Sequence, residues 1–171
     1  MSKDLLRGLS FLVGLGLLCG LLLHNVNAFT AADIKNNRDV SARQLVAELT
    51  GDEIAQSIVL SERFNQQCPD WSLTHETVMG YAGPIELLIY ARLPEDAISV
   101  RTIAHRETPG IGDFIDQARD DYLISLDESS YASWQALDRV TGATVTSNAL
   151  KRAIRVVHEQ NQLNCVGAID G

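Results

Sequence analysis

A chain of 171 residues with a net charge of −8 is long enough for one domain with a buried core, and too acidic to seek a nucleic-acid backbone or an anionic lipid surface by charge. Without Lys3, Arg7 and Asp4 the remainder has 12 basic and 21 acidic residues and a net charge of −9. The three cysteines, Cys19, Cys68 and Cys165, form no C-x-x-C, which excludes a locally encoded zinc or iron–sulfur site.

Hydrophobic residues make up 46% of the chain, and they are densest at its start. Residues 5–23 are apolar apart from Arg7, which sits near enough to the end to snorkel to the membrane interface. As a helix this stretch would be roughly 28 Å long, close to the ~30 Å of a hydrocarbon core. Lys3 and Arg7 precede it, so the positive-inside rule places the N-terminus in the cytoplasm and the rest on the extracytoplasmic side of the inner membrane. We therefore expect an N-terminal transmembrane anchor over 1–28 and an exported domain over 29–171. A signal peptide cleaved after Val26-Asn27-Ala28 is the competing reading, and it gives the same compartment. A lipoprotein reading through Cys19 is weak, because the preceding residue is Leu18. An oxidising compartment would let Cys68 and Cys165 pair, although two free buried thiols would suit the sequence equally well.

The exported part begins with a helical pattern over 31–49, carried by Ile34, Ala42, Leu45, Val46 and Leu49 and stopped by Gly51. Four strand-like runs follow: Ser57–Phe64, Trp71–Met79, Ile85–Ala91 and Ala97–Ala104. Gly83-Pro84 and Leu93-Pro94-Glu95-Asp96 mark turns between them, the second joining a hairpin. The segment from His105 to Asp113 is too rich in glycine and proline for regular structure. A short helix is expected around Phe114–Ala118 and a strand around Tyr122–Leu126. The pattern then predicts an amphipathic helix over Asn148–Gln160, with Leu150, Ala153, Ile154 and Val157 on one face and Thr146 or Ser147 as its cap. The fold class is α+β: an antiparallel sheet with flanking helices on a single N-terminal transmembrane helix.

Chemistry concentrates just before that last helix. Residues 138–147 read Asp-Arg-Val-Thr-Gly-Ala-Thr-Val-Thr-Ser. Hydroxyl groups crowd around Gly142 and Ala143 at a helix start, where unpaired N–H groups and the helix dipole favour a phosphate. A well-capped helix after a loop would look the same, and the residues alone do not single out one hydroxyl. The histidines, His24, His75, His105 and His158, have no ligand-like spacing, so no metal site is expected. Trp71, Trp134 and Tyr131 read as packing residues, and no catalytic group stands out. Glu107 is a remote candidate for a general base.

The stretch Asp138-x-x-Thr141-Gly142-Ala143-Thr144 resembles the flavinylation motif of the FMN-binding domain family. That family includes the G subunit of the Rnf ion-translocating electron transport complex and the C subunit of the sodium-translocating NADH:quinone reductase. Gly80-Tyr81-Ala82-Gly83-Pro84-Ile85 and the loop from His105 to Asp113 resemble segments of the Rnf protein in the same order. The resemblance implies FMN joined covalently, by a phosphoester, to Thr144. Thr141 and Asp138 match the other motif positions. It further implies modification by a separate, magnesium-dependent flavin transferase, and partner membrane and redox subunits of an Rnf-type complex. The chain would be an electron relay that does not turn over alone. Glu107, Thr108, Pro109 and Gly110 are candidates for contact with the flavin, beside Gly142, Ala143, Thr146 and Ser147. The stretch between Asp113 and Asp138 is short for the family and lacks a glycine-rich lead-in, with Ala136-Leu137 in its place. A stand-alone anchored flavoprotein of another exported redox pathway, or an adaptor without flavin, remain the alternatives.

Overall fold

A computed structural model describes residues 3–51, 65–67, 70–137, 140 and 142–166 of the chain. The strand expected over Ser57–Phe64, and with it Cys68, Asp138 and Thr141, lies outside the described residues, as does the side chain of Cys165. Two compact units divide the chain, Met1–Val40 and Ser41–Gly171.

The first unit consists of most of helix α1 (Lys3–Thr50). The anchor stretch and the 31–49 pattern run together as this one helix, which is long and apolar enough to cross a membrane. Its large side chains lie uncovered, among them Phe11, Leu12, Leu17 and Leu23, as a lipid environment would require. Polar groups beyond the apolar run bond back to the helix: Asn25 Nδ2 donates to the Leu21 carbonyl (2.8 Å) and Thr30 Oγ1 to that of Val26 (2.9 Å).

The second unit is built on an antiparallel sheet of β1 (Asn65–Gln67), β2 (Trp71–Met79), β3 (Pro84–Arg92) and β4 (Ala97–Ala104), in that spatial order. β2 and β3 pair along their whole length, from Trp71 opposite Arg92 to Met79 opposite Pro84. The expected hairpin joins β3 to β4 through Leu93–Asp96, with one register irregularity at Glu86/Leu87. Edge strand β4 is protected by other means. Ile98 forms a single bridge with Ser129, and Gln117 completes the backbone pairing of Thr102, donating to its carbonyl at 2.7 Å and accepting from its N–H at 3.1 Å.

The dense apolar run of β3 is explained by a sheet covered on both faces. Ile85, Leu87, Ile89 and Ala91 face a core completed by Phe114, Ile115, Leu123 and Trp134, and by one face of the last helix, α4 (Thr144–Val166). Leu88 and Tyr90, on alternate positions, face the end of α1 through Val46, Leu45 and Leu49. Each fully buried aliphatic side chain here contributes about 1.5–3 kcal/mol relative to exposure. Arg101 is buried beside the second cluster, paired with Asp127 at 2.6–2.7 Å and with Glu48 of α1 at 3.7 Å. The Asp127 hydrogen bonds raise the guanidinium pKa above its ordinary value, against the effect of burial.

Three expectations need correction. Tyr122–Leu126 is no strand: α2 (Tyr122–Ser125) is a single helical turn, entered through the Asp120 carboxylate, which accepts from Tyr122 N at 2.8 Å, and closed by Ser125 N on the Asp121 carbonyl. Over so few residues, one buried side chain, Leu123, satisfies a strand or a helix pattern alike. The last helix also starts earlier than the cap residues suggested, as described below. The short helix near Phe114 is a 3-10 turn, Asp113–Ile115.

Candidate functional site

The three segments singled out in the sequence meet at one side chain, Glu107, which is 5% exposed. From the first segment, the Ala82 N–H donates to Glu107 Oε1 at 3.2 Å. From the third, Thr146 Oγ1 donates to Glu107 Oε2 at 2.7 Å. Within its own loop, Glu107 N–H donates to His105 Nδ1 at 3.2 Å.

Two glycines make room for this carboxylate. A Cβ on Gly80 would lie 2.2 Å from Glu107 Oε1, and one on Gly112 would lie 2.2 Å from Glu107 Cβ. Gly80 also closes the turn into β3, its N–H donating to the Gly83 carbonyl at 2.8 Å. The 105–113 loop folds back through Ile111 and Gly112, whose N–H groups both donate to the Thr108 carbonyl. Thr108, Pro109 and Gly110 form its exposed tip.

Helix α4 begins at Thr144, so Thr146 and Ser147 lie inside its first turn and do not cap it. Ser147 N–H donates to the Ala143 carbonyl at 2.9 Å, the first intrahelical bond, and the Ser147 hydroxyl donates to the same carbonyl. The sequence offered Thr146 or Ser147 as the cap. Burial of Ala143 and the Glu107–Thr146 bond set the start instead.

The result sorts the hydroxyls. Thr146 is fully buried and Ser147 nearly so, each donating within the protein. Thr144 is exposed at the first helical position. Gly142, at φ +82°, leaves open space where a side chain would otherwise stand. The first-turn N–H groups of Thr144, Val145 and Thr146 precede the first intrahelical bond and face out from the helix end. An exposed hydroxyl, helix-end amides without a partner among the described residues, and an open glycine suit a phosphate-linked group.

The lead-in to this segment is held from above. In α3 (Tyr131–Ala136), Ser130 caps the helix start through Ser133 N. At its other end Lys151 Nζ of α4 donates to the carbonyls of Gln135 (2.9 Å) and Leu137, and Gln135 Nε2 donates to the Lys151 carbonyl at 3.1 Å. The Ala136-Leu137 stretch that replaces a glycine-rich lead-in is therefore clamped onto the helix.

The aromatic residues are engaged in packing. Trp134 is fully buried and donates from Nε1 to the Ile98 carbonyl at 3.1 Å. Trp71 packs on Tyr90, and Tyr131 stacks on His158 with ring centres 4.0 Å apart. Sequence reasoning missed Gly80, Gly112 and Lys151 as site-building residues. The partners of Lys151 lie 14 and 16 residues away, and Glu107 is farther still from Gly80, so no local pattern announces such contacts. The motif Gly80-Tyr81-Ala82-Gly83 was the one available signal for the first.

Residues 80–159 match the model of the FMN-binding domain family. The match runs from the Gly80 turn, through the Glu107 loop, to helix α4. Over most of its length the chain is similar to proteins named as the G subunit of the ion-translocating oxidoreductase complex. It is 27% identical to that of Shewanella piezotolerans, covering 91% of this chain and 89% of the relative, and 29% identical to that of Vibrio atlanticus, covering 85% and 80%. With that of Pseudomonas aeruginosa the identity is 36% over 44% of this chain and 40% of the relative. The resemblance to the Rnf protein expected from three ordered motifs is thereby borne out.

Proposed function

We propose that this chain is a membrane-anchored electron-relay subunit of an ion-translocating oxidoreductase complex, carrying FMN as a phosphoester on Thr144. The observation that carries the reading is the sorting of hydroxyls at the start of α4. Among the described hydroxyl residues of the motif, Thr144 alone is exposed to solvent, while Thr146 and Ser147 are buried and hydrogen-bonded. The first-turn amides would hold the phosphate, Gly142 leaves room for it, and the exposed Thr108–Gly110 tip offers a surface for the ring. When bound, the flavin supplies the capacity to accept and release electrons.

A threonine hydroxyl needs activation to act as a nucleophile. The carboxylate of Glu107, which reaches the first turn of α4, is already bound to Thr146, which fits activation by a separate flavin transferase. The anchor, 1–28, keeps the domain, 29–171, at the extracytoplasmic face of the inner membrane, with Lys3 and Arg7 inside. Covalent attachment suits that location, because a dissociable flavin would be lost by dilution. Partner subunits of the complex would deliver and collect the electrons. The test is flavin fluorescence of the denatured chain on a gel after production with a flavin transferase: the wild-type band fluoresces and Thr144→Ala does not. Fluorescence retained by Thr144→Ala would place the attachment elsewhere.

A further inference from the structure

We infer that Glu107 is the positioning residue of the acceptor: through Thr146 it fixes the rotation of the first turn of α4 and so turns Thr144 outward. The inference rests on the reading of Thr144 as the attachment site.

Successive residues of a helix are ~100° apart around its axis, so Thr144 and Thr146 point to nearly opposite sides. Burying one exposes the other, as observed: Thr146 is 0% exposed and Thr144 lies in solvent. The start of a helix is otherwise its least constrained part, because its first amides lack partners. What holds this one is the 2.7 Å bond from Thr146 Oγ1 to Glu107 Oε2. Its two carboxylate oxygens are divided between two elements, Oε2 accepting from α4 and Oε1 from the Ala82 N–H of the turn before β3.

The carboxylate itself has little freedom. Gly80 packs close to Oε1, and Gly112 close to Cβ and Cγ, so both glycines enclose the side chain. The sheet, through the 80–83 turn, thus sets the carboxylate, and the carboxylate sets the helix start. Glu107 does not touch the reacting oxygen. Its part is to hold that oxygen in the orientation in which a transferase meets it.

The experiment measures the initial rate of FMN loading on the full-length chain by intact mass, with a flavin transferase, Mg²⁺ and FAD as donor, whose pyrophosphate bond breaks to release AMP as the Thr144 Oγ–P bond forms. All variants are compared at a temperature at which circular dichroism shows each to be folded. Thr146→Val keeps the shape but removes the donor, and we expect its loading rate to fall at least ten-fold. Thr146→Ser restores the donor and should load within about three-fold of wild type. Glu107→Gln can accept from Ala82 N–H and donate to the Thr146 oxygen, and should also stay within about three-fold, whereas Glu107→Ala should fall with Thr146→Val. Wild-type loading by a folded Thr146→Val or Glu107→Ala would overturn the inference, as would failure of Thr146→Ser to recover the rate. Peptide mapping of the loaded wild type separates this from the underlying reading. Flavin found on a residue other than Thr144 overturns the attachment site, whereas flavin on Thr144 with indifferent variants overturns only the role of Glu107.

Discussion

Replacing Gly112 by alanine tests how closely Glu107 is enclosed. Gly112 has φ −95° and ψ 2°, angles open to any residue, so the cost is steric and not conformational. The new Cβ would lie 2.2 Å from Glu107 Cβ and 3.4 Å from its Cα. Neither atom can swing away, so the 105–113 loop must shift. Overpacking of this kind costs about 1–3 kcal/mol, which for a folded unit of this size lowers Tm by roughly 4–12 °C. Gly80→Ala differs in kind, since its Cβ would meet Glu107 Oε1 at 2.2 Å and Ile85 Cδ1 at 2.6 Å, both ends of side chains. Glu107→Ala distinguishes the two. It keeps Cβ, so Gly112→Ala should destabilise that background as much as the wild type. It removes Oε1, so Gly80→Ala should become milder. Thermal unfolding of the single and double variants, followed by circular dichroism, gives both couplings. Full relief of Gly112→Ala by Glu107→Ala, or a Gly112→Ala Tm within about 1 °C of wild type, would refute the packing described.

Other consequences can be measured in the same way. Asp127→Ala strands the Arg101 guanidinium, whose side chain is 6% exposed. Breaking a buried pair costs about 3–5 kcal/mol, and partial exposure of Asp127 with Glu48 close by brings the expected loss to about 2–3 kcal/mol in denaturant unfolding. A loss below about 1 kcal/mol would mean that Glu48 or water replaces Asp127. Burial, the largest influence, raises the Tyr90 phenol above its ordinary 10.0, with Arg92 opposing and Glu95 and Glu128 assisting. The unfolded chain therefore ionises first: the stabilising contribution is full below 10.0 and lost as pH rises from there through the folded-state value. Stability should fall more steeply above that pH in wild type than in Tyr90→Phe, and equal slopes would contradict the assignment. Trp134→Phe leaves the buried Ile98 carbonyl without its donor and should cost about 1–3 kcal/mol, read from the Cm of urea unfolding.

Strong periodicity made most of the fold legible. Trp71–Met79 and Ala97–Ala104 are strands at the bounds that their alternation and flanking turns suggested, and the dense run Ile85–Ala91 lies in the strand Pro84–Arg92, covered on both faces. Tyr122–Ser125 was not legible, because its conformation depends on the Asp120 and Asp121 groups that open and close one turn. For the site, local sequence located the three segments but not the reason for them. Glu107 and Thr146 are 39 residues apart, and neither spacing nor composition encodes their bond. The same bond explains why the helix starts at Thr144 and not after the hydroxyl cluster. Gly80 and Gly112 looked like turn residues, whereas their lack of a side chain serves the close approach of Glu107.

The attachment of FMN to Thr144 is tested most directly by intact mass of the full-length chain, produced with and without a flavin transferase and followed by peptide mapping. The predicted result is a gain of one FMN, less water, only with the transferase, on the peptide containing Thr144 and absent from Thr144→Ala. An unchanged mass in the presence of an active transferase, or an adduct that survives Thr144→Ala, would contradict it.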